Sequence, residues 1–354
     1  MANAFDLSGL TLNPKEVESV RDFIVERVYS TGELNDMYNV FENVAMKSQI
    51  IQMGQLGLTG VEASSESCEY ATSGATAVAT QKYWEPAKIE DLFTICMAQV
   101  PALMKAFFNK AKSYRDLYDI QGSDEMLLLV AMVEDAIKQA ISRLIWFGDT
   151  NVAAATSSAA GLKVSTDAKF YNPIDGFFVQ LADGVTAGTV NYVDISAQQG
   201  TSITAAQAYA DIMSVYKASD SRVRGAEDGA FYVSGDIYIG LMEYAVTNSL
   251  NFEFGKFENG IQTLKFLGHT VYNMENQWRF NALSFVNNTT DNDVDRPTRI
   301  VFTTKSNLGV ATLNTEDFTT IDSWYSKDDR QNKTTYGFTI DAKVLDESLA
   351  TVAW

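Results

Sequence analysis

The sequence predicts an α+β fold, because its helical and extended stretches follow one another without the regular rhythm of βαβ units. Three observations support this class. Hydrophobic residues make up 46% and charged residues 20% of the 354 residues, which is typical of a globular chain with a sizeable core. One long stretch, residues 123–146, has the apolar periodicity of a helix. Extended stretches bounded by turn residues lie on both sides of it.

The N-terminal segment is expected to begin with helices. Asn13 is a suitable N-cap, and Pro14 is suited to the first helical position of the stretch PKEVESVRDFIVERVYS. A second, weaker helical segment is expected over residues 35–46.

Residues 48–86 predict a long hairpin, because two extended stretches flank a small, polar tip at residues 63–75. Three glycines in the first stretch, Gly54, Gly57 and Gly60, could suggest a nucleotide-binding loop. Their spacing is not GxGxxG and no helix follows, so they indicate a strand with bulges instead.

Residues 90–122 are expected to form a helical connection into the long helix at residues 123–146. Ser123 is the expected N-cap of that helix, and Gly148 supplies the stop. The helix would be roughly 36 Å long. It is not a membrane span, because several charged residues interrupt it. The residues expected to face the core recur at helical spacing: Leu129, Val133, Ile137, Ile141 and Leu144.

Residues 151–170 are rich in small residues and predict a domain boundary, after which the second half of the chain begins. The elements expected after it are a helix capped by Thr204, a strand leading through a Ser234 cap into a helix, a strand pair broken at Gly268, a second strand pair at residues 296–313 and a terminal strand at residues 334–354.

The formal net charge of −18 disfavours a broad basic surface for gripping nucleic acid. The two cysteines, Cys68 and Cys96, form no CxxC pattern, so free thiols in a reducing compartment are expected. The N-terminus lacks the basic and apolar regions of a secretory signal.

Catalytic patterns are weak throughout. His269 is the single histidine and lies between two strand-like runs, which favours a structural role. Glu134 and Asp135 are adjacent on the long helix and would point about 100° apart, so a solvated or ion-paired helix face is favoured over a catalytic pair. No GxSxG, P-loop or HExxH pattern occurs. We therefore expect no catalytic and no cofactor-binding residues.

Two further stretches suggest binding only superficially. Residues 291–297 resemble the start of a calcium loop, but Arg296 and Phe302 replace the glycine and glutamate that the loop requires. An acidic surface loop is therefore favoured over a calcium site, and we expect no metal. Trp84 could stack on a sugar or a base, but a buried aromatic that anchors the end of a strand is favoured.

The order of these segments resembles the major capsid proteins of tailed double-stranded DNA bacteriophages, which have the Hong-Kong-ninety-seven-type fold. The resemblance covers essentially the whole chain and rests on the order of the elements rather than on one diagnostic motif. The stretches that carry it most clearly are QKYWEPAKIEDLF, VEDAIKQAISRLIWFGDT, GDIYIGLMEY, TTKSNLGVATL and GFTIDAKVLDESLATVAW.

The resemblance implies a division of the chain into four parts. It implies an N-terminal arm at residues 1–47, an extended loop over a neighbouring subunit at residues 48–86, a peripheral domain with a long spine helix at residues 87–155 and 305–354, and an axial domain at residues 156–304.

The resemblance also implies a function. The chain would be a non-enzymatic subunit of an icosahedral or prolate virion capsid, assembled in the host bacterial cytoplasm as hexamers and pentamers. The implied partners are other copies of the chain, a portal protein, decoration proteins and packaged double-stranded DNA without sequence-specific binding, with no membrane and no cofactor. A separate scaffolding protein is expected if Met1 is the encoded start. The family's cross-linking Lys, Asn and Glu set has no match here, so covalent cross-links are not implied.

Two alternatives stay open. A shell of the encapsulin nanocompartment type would have the same fold. A carbohydrate-binding or carbohydrate-active protein would use exposed tryptophans, with Trp84, Trp278 and Trp324 as the candidates.

Overall fold

The computed structural model describes the part of the chain formed by residues 37–44, 48–53, 79–96, 124–150, 168–199, 202–248, 256–258, 261–278, 297–314, 321–329 and 331–354. These residues form interleaved helices and strands in three sheets, which confirms the α+β class.

The helices are α1 (Asp124–Phe147), α2 (Phe177–Ala187), α3 (Ala205–Ala218), α4 (Ser221–Arg224) and α5 (Gly235–Thr247). The strands are β1 (Asn39–Phe41), β2 (Gln49–Met53), β3 (Ala79–Tyr83), β4 (Ala87–Cys96), β5 (Asn191–Val193), β6 (Gly229–Val233), β7 (Lys256–Glu258), β8 (Ile261–Phe266), β9 (His269–Asn273), β10 (Ile300–Thr304), β11 (Leu308–Ala311), β12 (Ile321–Ser326), β13 (Gln331–Val344) and β14 (Thr351–Ala353).

The long strand β13 organises a five-stranded sheet. Its C-terminal residues pair with β11, which pairs in turn with β1. Its N-terminal part lies between β12 and β4, and both pairings are antiparallel. Alternate side chains of β13 are buried, including Tyr336, Phe338 and Ile340. This period of two places one face of the sheet on the core and leaves the other face more open.

The second sheet has seven strands in the order β5-β14-β10-β6-β9-β8-β7. Helices α3 and α5 cover one face, where Phe231 and Phe302 stack with ring centroids 4.0 Å apart. The opposite face contributes Tyr232 and Val301 to a core shared with α1, α2 and the five-stranded sheet. The seven-stranded sheet is therefore covered by helices on both faces.

Trp146, in the last turn of α1, is fully buried at the centre of that shared core. Its indole Nε1 donates a hydrogen bond of 2.7 Å to Tyr38 Oη. Four aromatic rings have centroids 5.1–5.7 Å from the Trp146 ring, namely Phe177, Phe178, Tyr232 and Trp278. Such offset and edge-on contacts stabilise a core beyond the burial of area alone.

The predicted core face of the long helix is confirmed where the side chains are described. Val133, Ile137 and Ile141 are buried, whereas Lys138 is exposed. The expected N-cap at Ser123 lies outside the described residues, as do the side chains of the first two helical turns.

Two segments predicted as helical are strands instead. Residues 90–96 belong to β4, whose ten residues pair along β13. Ile89 and Phe93, four residues apart, are compatible with a helix, but both pack against the core from the same face of the strand. Within residues 35–46, Asn39–Phe41 form β1, which pairs with β11 in parallel. In both cases pairing with a distant strand overrides the local pattern.

The predicted strand pair at residues 296–313 is also wrong, because β10 and β11 belong to different sheets. A 3₁₀ turn, Lys305–Asn307, connects them. The Asn307 amide donates to Thr303 Oγ1 at 2.9 Å and to the Asp346 carbonyl at 2.8 Å, and it accepts from the Asp346 amide at 2.6 Å. These hydrogen bonds fix the path of the chain from the seven-stranded sheet to the five-stranded sheet.

Other local predictions are confirmed. Thr204 caps α3 and forms a reciprocal capping box with Gln207. Ser234 occupies the N-cap position of α5, although its hydroxyl donates to Asp236 rather than capping the backbone. A two-residue turn at Gly268 separates β8 from β9. The terminal strand predicted at residues 334–354 is confirmed only in part, because the stretch divides into the end of β13, a 3₁₀ turn at Glu347–Leu349 and the buried strand β14, which belongs to the other sheet.

Several predictions fall outside the described residues. These are the helix begun by Asn13, the hairpin tip, the connection at residues 97–122, most of the small-residue boundary and residues 291–296 of the calcium-like loop. The domain boundaries stay predictions.

We predict that Ile137→Asp prevents stable folding, because it places an unpaired carboxylate in a dry core. The expected cost is on the order of 4 kcal/mol or more, a large part of the total stability of a domain. The neighbouring Lys138→Asp is the matched control, because Lys138 is exposed and its replacement should cost less than about 1 kcal/mol. Denaturant unfolding followed by circular dichroism measures both, and equal midpoints would show that the helix does not pack as described.

Candidate assembly surface

Strands β2 and β3 form an isolated antiparallel pair, in register from Gln49 opposite Tyr83 to Met53 opposite Ala79. Across the described residues, neither strand joins either of the two larger sheets. This confirms the hairpin at its base, while its tip lies outside the described residues. A two-stranded hairpin is marginal in water unless other surfaces support it.

Trp84 anchors the end of the hairpin to the five-stranded sheet. Its side chain is only 3% exposed, and its ring centroid lies 5.3 Å from that of Phe41. The ring also covers Gly309, where an added Cβ would lie 2.9 Å from Cη2 of Trp84. The Trp84 amide donates to the Ser48 carbonyl at 2.9 Å and closes the base of the hairpin. The prediction that Trp84 is a buried anchor is confirmed.

Asp341, in β13, holds the residue that follows Trp84. Its Oδ2 accepts a hydrogen bond of 2.7 Å from the Glu85 amide, and its Oδ1 accepts one of 2.8 Å from the Ala342 amide. Burial raises the pKa of the Asp341 carboxyl, although nearby Lys343 and the two amide donors oppose this shift. A buried carboxyl group therefore lies at the root of the hairpin.

Lys82 forms a third attachment, from β3 to the last residue of β13 and to the segment that follows it. Its Nζ donates to the Val344 carbonyl and to Glu347 Oε1, each at 2.8 Å. Glu347 Oε2 accepts a further hydrogen bond of 2.6 Å from Thr189 Oγ1. Burial alone would raise the pKa of Glu347, but the hydrogen bonds from Lys82 and Thr189 and the Lys82 charge outweigh it and hold the pKa below its ordinary value.

The two faces of the hairpin differ. Lys82 and Ile50 are partly buried on the face toward the rest of the chain. The opposite face presents Ile51 and Tyr83, both exposed, beside Gln49 and Gln81, whose side chains share a hydrogen bond of 2.6 Å. This face, half apolar and half amide, is uncovered while the base of the hairpin is fixed, so the hairpin is suited to contact another molecule.

Other large apolar side chains are exposed at separate places. Leu92 and Trp324 lie on the open face of the five-stranded sheet, on either side of β13. Among the residues that the structure describes, the other exposed large apolar side chains are Phe170, Tyr192, Ile239, Val246, Leu267 and Leu313.

His269 lies in the core rather than in an open cleft. Its ring is buried among Tyr216, Phe231 and Phe302, with Nδ1 3.2 Å from the Gly229 carbonyl oxygen. In the described part of the chain, no three His, Cys, Asp or Glu side chains are grouped so as to hold a metal. None of the described helices is both long and apolar enough to cross a membrane.

The remaining site predictions stay untested. The side chains of Glu134, Asp135 and Cys96 and all of Cys68 lie outside what the structure describes. The expectation that the chain has no catalytic, cofactor-binding or metal-binding residue stays a prediction. Sequence reasoning found Trp84 but missed Lys82 and Asp341, because a single lysine or aspartate in a strand carries no local signal of a distant partner.

No protein-family model and no curated protein matches the sequence. Solved structures do match over nearly the full length of both chains. The capsid of cyanophage A-1(L) has 12% sequence identity and a TM-score of 0.53, with 97% of this chain and 96% of that chain covered. The capsid of cyanophage P-SCSP1u has 12% identity and a TM-score of 0.51, with 96% and 92% covered. The capsid of an empty GTA particle has 12% identity and a TM-score of 0.51, with 97% and 94% covered.

At this low identity the comparison shows the fold. The chain has the fold of phage capsid proteins, which confirms the fold expected from the sequence.

We predict that Glu347→Gln loosens the root of the hairpin at neutral pH, because it removes the charge that Lys82 contacts. Hydrogen exchange of residues 79–86 should become faster at pH 7. Since the folded-state pKa of Glu347 is lowered, the stabilisation is present above its ordinary pKa of 4.5 and is lost as the pH falls through the folded-state value. The difference from the unmodified protein should therefore shrink toward pH 4.

Glu90→Gln is the control, because Glu90 forms an ion pair with Lys88 in which both side chains are well exposed. Exchange of residues 79–86 that is unchanged by Glu347→Gln at pH 7 would mean that Lys82 does not hold the hairpin.

Proposed function

We propose that this protein is the structural, non-enzymatic subunit of a bacteriophage-type capsid that assembles as hexamers and pentamers around double-stranded DNA. The observation that carries the proposal is the capsid-protein fold over nearly the whole chain. The anchored hairpin adds support, because its outer face leaves Ile51 and Tyr83 exposed and available to a neighbouring molecule.

The division into parts follows the same proposal. Residues 1–47 act as the N-terminal arm and residues 48–86 as the extended loop. Residues 87–155 and 305–354 form the peripheral domain, with α1 as its spine, and residues 156–304 form the axial domain. Strand β14 pairs with both β10 and β5, so the two proposed domains are joined within one sheet.

Assembly depends on repeated contacts that share one geometry. Stable protein interfaces bury on the order of 1,200–2,000 Å², and every subunit of a shell repeats the same set. Attachments through Trp84, Lys82 and Glu85 fix the direction in which the hairpin leaves its own subunit. A fixed direction reduces the conformational entropy that is lost when the hairpin contacts a neighbour.

The net charge of −18 fits a wall that encloses DNA without gripping it. Under this proposal the protein resides in the virion capsid after assembly in the host cytoplasm. Its partners are other copies of the chain, a portal protein and decoration proteins. No cofactor is involved.

The two alternatives are a carbohydrate-binding protein and a nanocompartment shell. Trp84 and Trp278 are only 3% and 5% exposed, so neither offers a ring face to a sugar, and Trp324 at 42% is the remaining candidate. A nanocompartment shell of the encapsulin type shares the fold. Portal and terminase genes beside the coding gene favour the capsid, whereas a gene for a cargo enzyme favours the nanocompartment.

We predict that replacing residues 64–74 with a short Gly-Ser link leaves the subunit folded but removes closed shells, because the shortened hairpin no longer reaches its neighbour. Circular dichroism and thermal melting test the fold, and electron microscopy tests assembly. A Gly-Ser segment of the original length is the control that separates loop length from loop sequence. Normal shells from the shortened protein would contradict the proposal, as would loss of the subunit fold.

A further inference from the structure

Two carboxyl groups hold the root of the hairpin, and their surroundings differ. The Asp341 carboxyl accepts hydrogen bonds from the Glu85 and Ala342 amides. The Glu347 carboxyl accepts one from the Lys82 ammonium. The Asp341 side chain is 2% exposed, whereas the Glu347 side chain is 30% exposed. One negative charge at the root is therefore buried, and the other lies partly in solvent.

The charged groups around the two carboxyls also differ. Lys82 Nζ contacts Glu347 Oε1 at 2.8 Å, whereas Lys343 Nζ lies 4.0 Å from Asp341 Oδ1. The Glu85 carboxyl adds a second negative charge near Asp341. A buried charge without a contacting counter-ion costs free energy. Because the segment that follows β3 contacts Asp341 Oδ2, docking of the hairpin root removes this carboxyl from water and incurs that cost.

We propose that the two charges act in opposite directions: the Glu347 charge holds the hairpin root in place, whereas the Asp341 charge opposes its docking, so that mild acidification tightens the root. The competing effect is that of the Glu85 and Ala342 amides, whose hydrogen bonds favour an ionised Asp341. The proposal states that burial outweighs these two bonds. It concerns the single chain, so it stands or falls independently of the proposed shell function.

The pKa directions agree with this geometry. Burial raises the pKa of Asp341 above its ordinary 3.8, although Lys343 and the two amides oppose the shift. For a raised pKa, the stabilisation is complete below the ordinary value and is lost as the pH rises through the folded-state value. The pKa of Glu347 is lowered from 4.5, so its stabilisation is complete above pH 4.5. Between pH 7 and pH 4.5 the contribution of Glu347 is therefore nearly constant, while that of Asp341 changes.

Hydrogen exchange of residues 79–86 tests the proposal, with protection expressed relative to an unstructured peptide at the same pH. In the unmodified protein, protection should rise by roughly twofold to tenfold as the pH falls from 7 toward 4.5. Asp341→Asn is neutral at every pH, so this rise should disappear. The change with pH is the decisive quantity, because asparagine also places an amide donor beside one of the two backbone N–H groups and alters protection at every pH.

Two matched variants exclude other carboxyls as the source of the rise. Asp322→Asn removes an exposed aspartate of β12 in the same sheet. Asp183→Asn removes an acid near Glu347 whose pKa is raised by burial and by the charges of Asp175 and Glu347. Both variants should keep the rise. Exchange of β6 in the same samples reports global stability, and the rise at residues 79–86 should exceed any change there.

Protection that stays level or falls in the unmodified protein between pH 7 and pH 4.5 would overturn the proposal, because the amide bonds would then outweigh burial. A rise that persists in Asp341→Asn would also overturn it. Lys343→Gln provides a second test that leaves Asp341 in place. Removal of this cation should raise the pKa of Asp341 further, so the rise should begin at a higher pH, and a rise that begins at the same or a lower pH would contradict the proposal.

Discussion

The buried indole of Trp146 is the contact on which the rest of the structure depends. Trp146 lies in the last turn of the long helix, where α2, the seven-stranded sheet and the segment before β1 meet. Its Nε1 donates to Tyr38 Oη, and Tyr232 Oη donates to the Met37 carbonyl at 2.8 Å, so these buried polar atoms are paired. Burial raises the pKa of Tyr38 well above its ordinary value, which keeps the phenol protonated in the core. A smaller side chain at this centre would leave a cavity between two sheets.

From this centre, rigid contacts continue to the hairpin. Helix α2 packs on Trp146 through its first turn, and Gln180 in its second turn bonds to β13. The Gln180 amide donates to the Ala342 carbonyl at 2.6 Å and accepts from the Val344 amide at 2.9 Å. Asp341 and Val344 of the same strand hold the hairpin root. The uncovered face of the hairpin is thus oriented by the core of the same chain.

The predictable parts of the fold are those determined by neighbouring residues. The capping box of Thr204, the turn at Gly268 and the apolar period of the long helix are local signals, and each was found where the structure has it. The errors arise from distant pairing. Residues 90–96 pair with residues more than 230 positions away, and Asn307 directs the chain between sheets through bonds to Asp346.

The same distinction applies to the candidate assembly surface. The burial of Trp84 could be expected from an aromatic residue at the end of a strand. Its attachments could not, because the Glu85 amide and the Lys82 ammonium find their partners 256 to 265 residues away. The leucine at position 267 also carries no signal in the sequence, because its positive φ and its exposure are visible only in the structure.

The central claim is that this chain builds a closed shell, and electron microscopy of the purified protein tests it most directly. The measurement is made across protein concentration and salt, with sedimentation velocity on the same samples. The account predicts closed shells, or hexamers and pentamers, that become more abundant as concentration rises. A single monomeric species at every concentration and salt condition would contradict it.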